Sequence, residues 1–170
     1  LIGITDPMGN VRFLTYDGEH HLTNVVDALG YSRSMTYTAS GLLSSFTDAR
    51  TNTFEFGYDE QGNLVTIRRP GGGTVTNQYD AAGNLVSSKD PLGNETRFTY
   101  DRRRLCTGIT DAKGYTISNI YDAAGDLVCV IDPCGATNTF AYSPVTHDLI
   151  AMTSADDATT ELRYDSRGWL

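Results

Sequence analysis

A tyrosine recurs at a fixed interval along the chain, and this period constrains the fold more than any other feature of the sequence. Successive members are 21 residues apart, except that the last follows after 22: Tyr16, Tyr37, Tyr58, Tyr79, Tyr100, Tyr121, Tyr142 and Tyr164. Six of them are followed directly by aspartate: Asp17, Asp59, Asp80, Asp101, Asp122 and Asp165. Thr38 and Ser143 take that place in the other two units. Eight units of about 21 residues therefore account for nearly all of the 170 residues.

Each unit contains two sequence signatures that predict turns. The first has the form Y-D-x-x-G-x-L, and its leucines are Leu22, Leu43, Leu64, Leu85, Leu127 and Leu170. The second, D-P-x-G, lies about half a period away, at Asp6-Pro7-Met8-Gly9, Asp90-Pro91-Leu92-Gly93 and Asp132-Pro133-Cys134-Gly135. Proline presets φ, aspartate accepts local backbone hydrogen bonds and glycine tolerates positive φ, so both signatures are typical of tight turns. We expect positive φ at Gly93 and Gly135.

The segments between these turns predict β-strands. They are five or six residues long and rich in Thr, Val, Ile, Phe and Tyr, as in residues 53–58 and 95–100. No segment shows the three-and-four apolar spacing of an amphipathic helix over a useful length. The predicted fold is therefore all-β: tandem antiparallel β-hairpin repeats that form a meander of roughly sixteen strands.

Alternation along the strands predicts which side chains share a face of the sheet. The repeated tyrosines form one row, and a mixed row of Phe98, Phe140, Asn77 and Asn119 lies beside it. Return strands contribute the residue nine positions past the tyrosine: Val25, Phe46, Ile67, Ile109 and Val130. The aromatic ladder has two interpretations, a stacked structural sheet or a platform for a ligand. We favour the structural one, because every unit repeats it.

Two units depart from the pattern. In residues 100–105 the leucine comes one residue early and the glycine is missing, whereas in residues 142–149 the leucine comes one residue late. Both changes fall in turns, where length changes are tolerated. We therefore expect neither of them to move a strand.

The charge balance excludes several classes of partner. A net charge of −8 disfavours binding to nucleic-acid backbones and to anionic membranes. No apolar run approaches the roughly 20 residues that span a bilayer, and no signal-like segment begins at Leu1. The sequence thus predicts no nucleic-acid partner and no membrane span in this segment.

Candidate sites for chemistry are few. His20 and His21 with Asp17 and Glu19 are either a metal cluster or, as we favour, solvated turn residues. The glycines at 71–73 lack the Lys-Ser/Thr and the helix of a phosphate loop, and they occupy the place of a degenerate D-P-x-G turn. We therefore predict no catalytic, cofactor-binding or metal-binding residues, and no cofactor.

The cysteines and one arginine cluster leave alternatives open. The chain has an odd number of cysteines, and their spacing is not that of a zinc site: Cys106, Cys129 and Cys134. They are interpreted as small strand residues, with a Cys129–Cys134 bridge as the alternative, so the disulfide state stays undecided. The arginines at 102–104 form a basic spot that is either a solvated turn or a contact to an acidic neighbour.

The signatures together resemble the YD repeat of the Rhs family. Residues 79–85 (YDAAGNL), residues 90–94 (DPLGN) and Tyr100-Asp101 carry the resemblance, which extends over nearly the whole chain. The YD repeat occurs in bacterial Rhs and wall-associated proteins, in the shell subunits of insecticidal toxin complexes, and in teneurins. The resemblance implies a curved or spiralling single-layer sheet that forms part of a hollow β-shell.

The same resemblance implies a function. The chain would be a fragment of a longer, secreted or cell-surface bacterial protein, and its partners would be the rest of the shell and an enclosed C-terminal toxin or effector. Any enzymatic activity would lie in that toxin domain, absent from this chain. The family's autoproteolytic aspartyl site does not map to Asp6, Asp90 or Asp132, which belong to repeat turns. The alternative is an extracellular module whose tyrosine and asparagine rows bind glycans or a receptor.

Overall fold

Sixteen short β-strands make up the structure, a computed structural model that describes residues 1–165 and 167–169. The strands are β1 (Ile2–Thr5), β2 (Val11–Tyr16), β3 (Leu22–Val26), β4 (Ser32–Tyr37), β5 (Leu43–Thr47), β6 (Thr53–Tyr58), β7 (Leu64–Arg68), β8 (Thr74–Tyr79), β9 (Leu85–Lys89), β10 (Glu95–Tyr100), β11 (Cys106–Thr110), β12 (Thr116–Tyr121), β13 (Leu127–Ile131), β14 (Thr137–Tyr142), β15 (Leu149–Thr153) and β16 (Thr159–Glu161). Leu170, the last predicted repeat leucine, lies outside the described residues.

The strand order in the sheet follows the chain order from β1 to β16, without a crossover. Two compact units can be described separately, residues 1–78 with 89–93 and residues 79–88 with 94–170. In the first unit β1 to β8 form seven consecutive antiparallel pairs, from β1–β2 to β7–β8. In the second unit β10 to β16 do the same. The predicted antiparallel meander is confirmed, and the described residues contain no helix that could cross a membrane.

The repeat period follows from the lengths of these elements. In a full unit, an outgoing strand of six residues ends at the tyrosine and a return strand of five begins at the leucine. Most five-residue turns close in one way: the amide of the first residue donates to the carbonyl of the fifth, and the amide of the fourth donates to the carbonyl of the first. In the turn that begins at Asp59, these bonds are 3.0 Å to Asn63 and 3.1 Å from Gly62. This is the geometry of a three-residue hairpin loop with a left-handed residue before the return strand.

A β-bulge recurs on the return strand, opposite the step from the preceding residue to the tyrosine, and the sequence did not reveal it. Tyr58 pairs with Leu64, but the preceding Gly57 pairs with Thr66, so Val65 is an extra residue on the return strand. The same shift occurs in β2–β3, β4–β5, β10–β11, β12–β13 and β14–β15. The bulge sets the register that brings Phe56 opposite Ile67, nine positions past the tyrosine.

At the first of the two irregularities the turn keeps its normal length and no strand is moved, as expected. Cys106, rather than Leu105, occupies the place of the repeat leucine, because Tyr100 pairs with Cys106. Arg104 takes the place of the glycine with φ 67°, so the turn keeps its normal length. The other irregularity is a real insertion. Tyr142 pairs with Leu149, and the amide of Ser143 donates to the carbonyl of Asp148.

The sheet has no covered core. Contacts between strands in the described residues join consecutive strands only, so each unit is one layer of sheet. No hydrophobic side chain of the described residues is fully buried, and Ser87 is the only buried polar residue among them. Half-buried side chains on the sheet surface, such as Phe46 and Phe56, therefore take the place of an interior.

Candidate functional site: the repeat turns and the two sheet faces

The aspartate of each turn organises the backbone around its carboxylate. In Asp59, Oδ1 accepts the amides of Gln61 at 3.0 Å and Asn63 at 2.8 Å. Oδ2 accepts the side-chain amide of Asn63 at 3.0 Å. One carboxylate thus satisfies two backbone donors of the loop and fixes the first residue of the next segment.

The asparagine four residues after the aspartate is a repeat residue that sequence reasoning missed. It donates its side-chain amide to Oδ2 of the aspartate in four turns: Asn10 to Asp6, Asn52 to Asp48, Asn63 to Asp59 and Asn84 to Asp80. These hydrogen bonds are the largest cause of a lowered pKa in each of the four aspartates. The signal was the form D-x-x-G-N, with Thr51 in the place of glycine in one turn, and it occurs in turns at both ends of the strands.

Turns without this asparagine keep the backbone part of the arrangement. The pKa of Asp17, Asp101 and Asp122 is lowered mainly by the backbone amide four residues on. In the turn of Thr38, the Oγ1 takes the place of the carboxylate and accepts the amide of Leu42 at 3.1 Å. In the turn of Ser143, the Oγ accepts the amides of Val145 and Thr146 at 3.4 and 3.3 Å. The hydrogen bonds from the turn amides to these hydroxyl groups are therefore weaker than those to the carboxylates.

The fourth residue of the turn adopts a left-handed backbone conformation in turns at both ends of the strands. Gly93 and Gly135 have φ values of 90° and 86°, in the region expected from the sequence. Five residues with side chains adopt the same region: His20, Thr51, Arg104, His147 and Asp157. Such a conformation costs of the order of 1 kcal/mol for a non-glycine residue and is least favourable for the β-branched Thr51.

The repeated tyrosines join consecutive units by their hydroxyl groups. Several of them donate to the backbone carbonyl fifteen residues earlier, which belongs to the first residue of a return strand, at 2.8–3.0 Å. The recorded pairs are Tyr37–Leu22, Tyr58–Leu43, Tyr100–Leu85, Tyr121–Cys106 and Tyr164–Leu149. Burial is the main reason why the pKa values of Tyr100 and Tyr142 are raised.

The asparagines of the mixed row also bind the backbone. Asn119 Nδ2 donates to the Cys106 carbonyl at 2.9 Å, the same oxygen that accepts the hydroxyl of Tyr121 at 3.0 Å. Asn77 Nδ2 donates to the carbonyl of Leu64 at 3.0 Å. The polar groups of this row are therefore used inside the sheet.

One face of the sheet, here named the apolar face, carries aromatic and aliphatic side chains in cross-strand contact. Phe46 lies between Met35 and Phe54, and Ile67 lies between Phe56 and Val75. In the second unit Ile109 lies between Phe98 and Ile117. Such pairs stabilise a sheet by about 0.2–1 kcal/mol each.

The opposite face is rich in hydroxyl groups, and we name it the hydroxyl face. Facing hydroxyls are 2.7–3.0 Å apart in four recorded pairs: Thr36–Ser45, Thr47–Thr53, Thr110–Thr116 and Thr153–Thr159. Because alternate residues point to opposite faces, Phe46 and Thr47 lie on different sides of the same strand. The sheet is amphipathic.

Comparison with known proteins identifies the repeat. The RHS Repeat family matches residues 37–74 and 79–116. These two segments carry RHS repeats. The predicted resemblance to the YD repeat is thereby confirmed. A comparison with curated proteins gave no match.

Solved structures show the same fold. The crystal structure of TcdB2-TccC3-TEV matches with a TM-score of 0.73 at 19% identity, covering 100% of this chain and 11% of that chain. A Photorhabdus luminescens Tc holotoxin pore with a mutated TccC3 matches with a TM-score of 0.72 at 18% identity, covering 99% and 11%. The crystal structure of TcdB2-TccC3 gives 0.63 at 17% identity over 88% and 9%. The chain therefore spans about a tenth of the length of these proteins and shares the fold of that portion.

The histidine cluster is part of a turn that is closed like those of the other units. His21 occupies the place of the asparagine, with Nδ1 3.1 Å from Asp17 Oδ2 and 3.8 Å from Glu19 Oε2. Its ring stacks on Tyr37 with the centroids 4.7 Å apart. In residues 1–165 and 167–169, no group of three or more His, Cys, Asp or Glu side chains is placed to hold a metal ion.

The remaining candidates also take their place in the repeat. Cys106, Cys129 and Cys134 are free thiols. The amide of Arg69 donates to the carbonyl of Gly73 at 2.7 Å, so residues 69–73 form a D-P-x-G-type turn with Arg69 in the place of the aspartate. Arg103 contacts acidic turns: its Nε lies 2.9 Å from Asp101 Oδ2, and its Nη1 donates to the carbonyl of Asp122 at 2.6 Å.

Proposed function

We propose that this chain is a wall segment of an RHS-repeat shell that encloses and protects a C-terminal toxin or effector polypeptide. The array of eight units would belong to a longer bacterial protein that is secreted or displayed at the cell surface. Its partners would be the remainder of that shell and the enclosed polypeptide. Any catalytic activity would lie in the enclosed polypeptide.

The uncovered apolar face is the observation that carries this proposal. In the described residues no hydrophobic side chain is buried, although aromatic and aliphatic residues follow one another across the strands. A sheet normally covers such a face with another layer. In a closed shell, the interior and its contents provide that cover, and the hydroxyl face meets water. The likeness to portions of TcdB2-TccC3 structures supports this interpretation.

The glycan-binding alternative stands second because the groups it needs are engaged in the sheet. The hydroxyls of Tyr58 and Tyr100 and the amides of Asn77 and Asn119 all donate to backbone carbonyls. A sugar would have to replace these bonds. No observation on the described residues favours that exchange.

Photo-crosslinking in the full-length protein tests the proposal. Ile67 and Thr66 are neighbours in β7 whose side chains lie on opposite faces. A photoreactive amino acid at position 67 should crosslink to the C-terminal polypeptide, and the same amino acid at position 66 should not. Mass spectrometry of the crosslinked peptides gives the partner sequence.

Two results would overturn the proposal. One is a folded protein in which position 67 yields no crosslink to the C-terminal polypeptide. The other is an equal yield of such crosslinks from positions 66 and 67, which would remove the distinction between the faces. A glycan array that shows binding by the wild-type chain, lost in an Asn119→Ala variant, would favour the alternative.

A further inference from the structure

The turn with the insertion differs from the others in both length and strain. It runs from Ser143 to Asp148, six residues instead of five, and its hydroxyl cap makes bonds of 3.3 and 3.4 Å. His147 adopts the left-handed region with φ 59°, where most units have glycine. Its amide donates to the carbonyl of Ser143 at 3.0 Å. This turn therefore has a strained residue and a weak cap.

The imidazole of His147 reaches the turn of the preceding unit. Its Nδ1 lies 2.6 Å from Oδ2 of Asp126, which is 21 residues, or one repeat, earlier. A glycine at this position, such as Gly83 or Gly125, has no side chain that can make the contact. Arg104 is the nearest counterpart, because its permanent charge helps to lower the pKa of Asp80 in the preceding turn. His147 differs from Arg104 in that its charge titrates near neutral pH.

The groups around His147 are mostly acidic. Asp126 and Asp122 lie in the preceding turn, Tyr142 ends β14, and Asp148 follows in the same turn. The Asp122 carboxylate is used by its own loop, where it accepts the amides of Gly125 and Asp126 at 2.9 Å. Among the described residues, Arg103 brings a cation to the turn of Asp122, where it donates to the backbone carbonyls of residues 122 and 123.

We propose that His147 and Asp126 form a pH-sensitive clamp between the consecutive units that contain Tyr121 and Tyr142. Below its pKa, the imidazolium bridges the two turns with a charge-assisted hydrogen bond. Above it, the neutral ring retains at most an ordinary hydrogen bond, and the strained six-residue turn is held less firmly. The clamp makes the stability of this contact between two turns depend on pH, which goes beyond the structural role proposed above.

The direction of the pH dependence follows from the surroundings of the ring. The hydrogen bond to Asp126, followed by the negative charges of Asp126 and Asp122, raises the pKa of His147 above its ordinary 6.5. A raised pKa in the folded state adds stability that is complete below the unfolded value and is lost as the pH rises through the folded value. The clamp is therefore tight at mildly acidic pH and loosened under alkaline conditions.

Amide hydrogen exchange in the full chain tests the clamp. The amides of Ser143 and His147 report on the turn, and that of Arg104, which donates to Asp101 at 3.0 Å, is the internal reference. Between about pH 5.5 and about pH 8.5, protection of Ser143 and His147 relative to Arg104 should fall a few-fold, as suits an exposed ion pair. Asp126→Asn should abolish this fall. Asp148→Asn, which removes one negative charge from the same turn and leaves the bridge intact, should retain it.

The outcomes decide the proposal in either direction. A constant ratio in the wild type, or an equal fall in wild type and Asp126→Asn, would overturn it. If circular dichroism shows that Asp126→Asn does not fold, His147→Gly provides the second test, since glycine accepts the left-handed backbone. In that variant the Ser143 amide should lose its excess pH dependence relative to Arg104. If the pH dependence persists in that variant, the proposal is overturned.

Discussion

The hydroxyl of Tyr58 donates a 2.8 Å hydrogen bond to the backbone carbonyl of Leu43, fifteen residues earlier. Leu43 is the first residue of β5, and it also pairs across the sheet with Tyr37. The bond therefore ties the tyrosine of one unit to the residue that faces the tyrosine of the preceding unit. A side chain shorter or longer than that of tyrosine would not place its hydroxyl at this carbonyl. This explains why tyrosine is the residue that recurs in every unit.

Removal of this hydroxyl should destabilise the chain. Tyr58→Phe keeps the ring and loses the bond, so we expect the free energy of unfolding to fall by about 0.5–1.5 kcal/mol. Tyr31→Phe is the matched control, because Tyr31 is 55% exposed. Urea unfolding followed by circular dichroism measures both variants. Equal midpoints for the two would contradict the structural role of the repeated tyrosine.

Relief of the strained turn residue at position 51 should stabilise the chain. Thr51 is β-branched and has φ 67°, so Thr51→Gly should raise the free energy of unfolding by about 1 kcal/mol. Thr53→Gly, two residues later in β6, should lower it, because glycine weakens a strand. Thermal unfolding of the pair measures the difference. A Thr51→Gly variant that melts below the wild type would show that the left-handed backbone carries no strain there.

The asparagine of the turn should control acid sensitivity. The side chain of Asn63 is the largest cause of the lowered pKa of Asp59, so this carboxylate adds stability that is present above its ordinary pKa of 3.8 and lost as the pH falls through the lowered value. Asn63→Ala should weaken that dependence and, through the lost hydrogen bond, lower the free energy of unfolding slightly.

Unfolding midpoints at a series of acidic pH values measure this effect. Gln61→Ala is the control, since Gln61 contributes only its backbone amide to Asp59. The same acid dependence in Asn63→Ala and the control would show that the asparagine does not set the pKa of the aspartate.

The apolar face should make the isolated chain associate. Its hydrophobic side chains have no second layer in the described residues, and terminal strands such as β1 present open edges. We expect the purified chain to bind hydrophobic dyes and to self-associate with rising concentration. Phe46→Ser should weaken both effects, whereas Thr47→Ser, on the hydroxyl face, should leave them unchanged. Sedimentation that shows a dye-negative wild-type monomer over a wide concentration range would contradict the uncovered face.

The sequence predicted the parts of the fold that depend on local chemistry. The period of the tyrosines, the two turns per unit and the short strands between them were all readable, because turn residues act within four or five positions. Gly93 shows this, since its left-handed φ of 90° was expected from D-P-x-G alone. The number of strands and their antiparallel order followed from the same local signals.

The tertiary structure decided the register of the strands and the hydrogen-bond partners of the side chains. Residues 100–106 suggested an early leucine, but the pairing of Tyr100 with Cys106 shows two substitutions at constant turn length, Arg104 for glycine and Cys106 for leucine. The bond of Asn63 to Asp59, the reach of Tyr58 to Leu43 and the contact of His147 with Asp126 also required coordinates. The physical reason is that a hydrogen bond depends on the distance between two atoms, and that distance depends on how neighbouring strands are aligned.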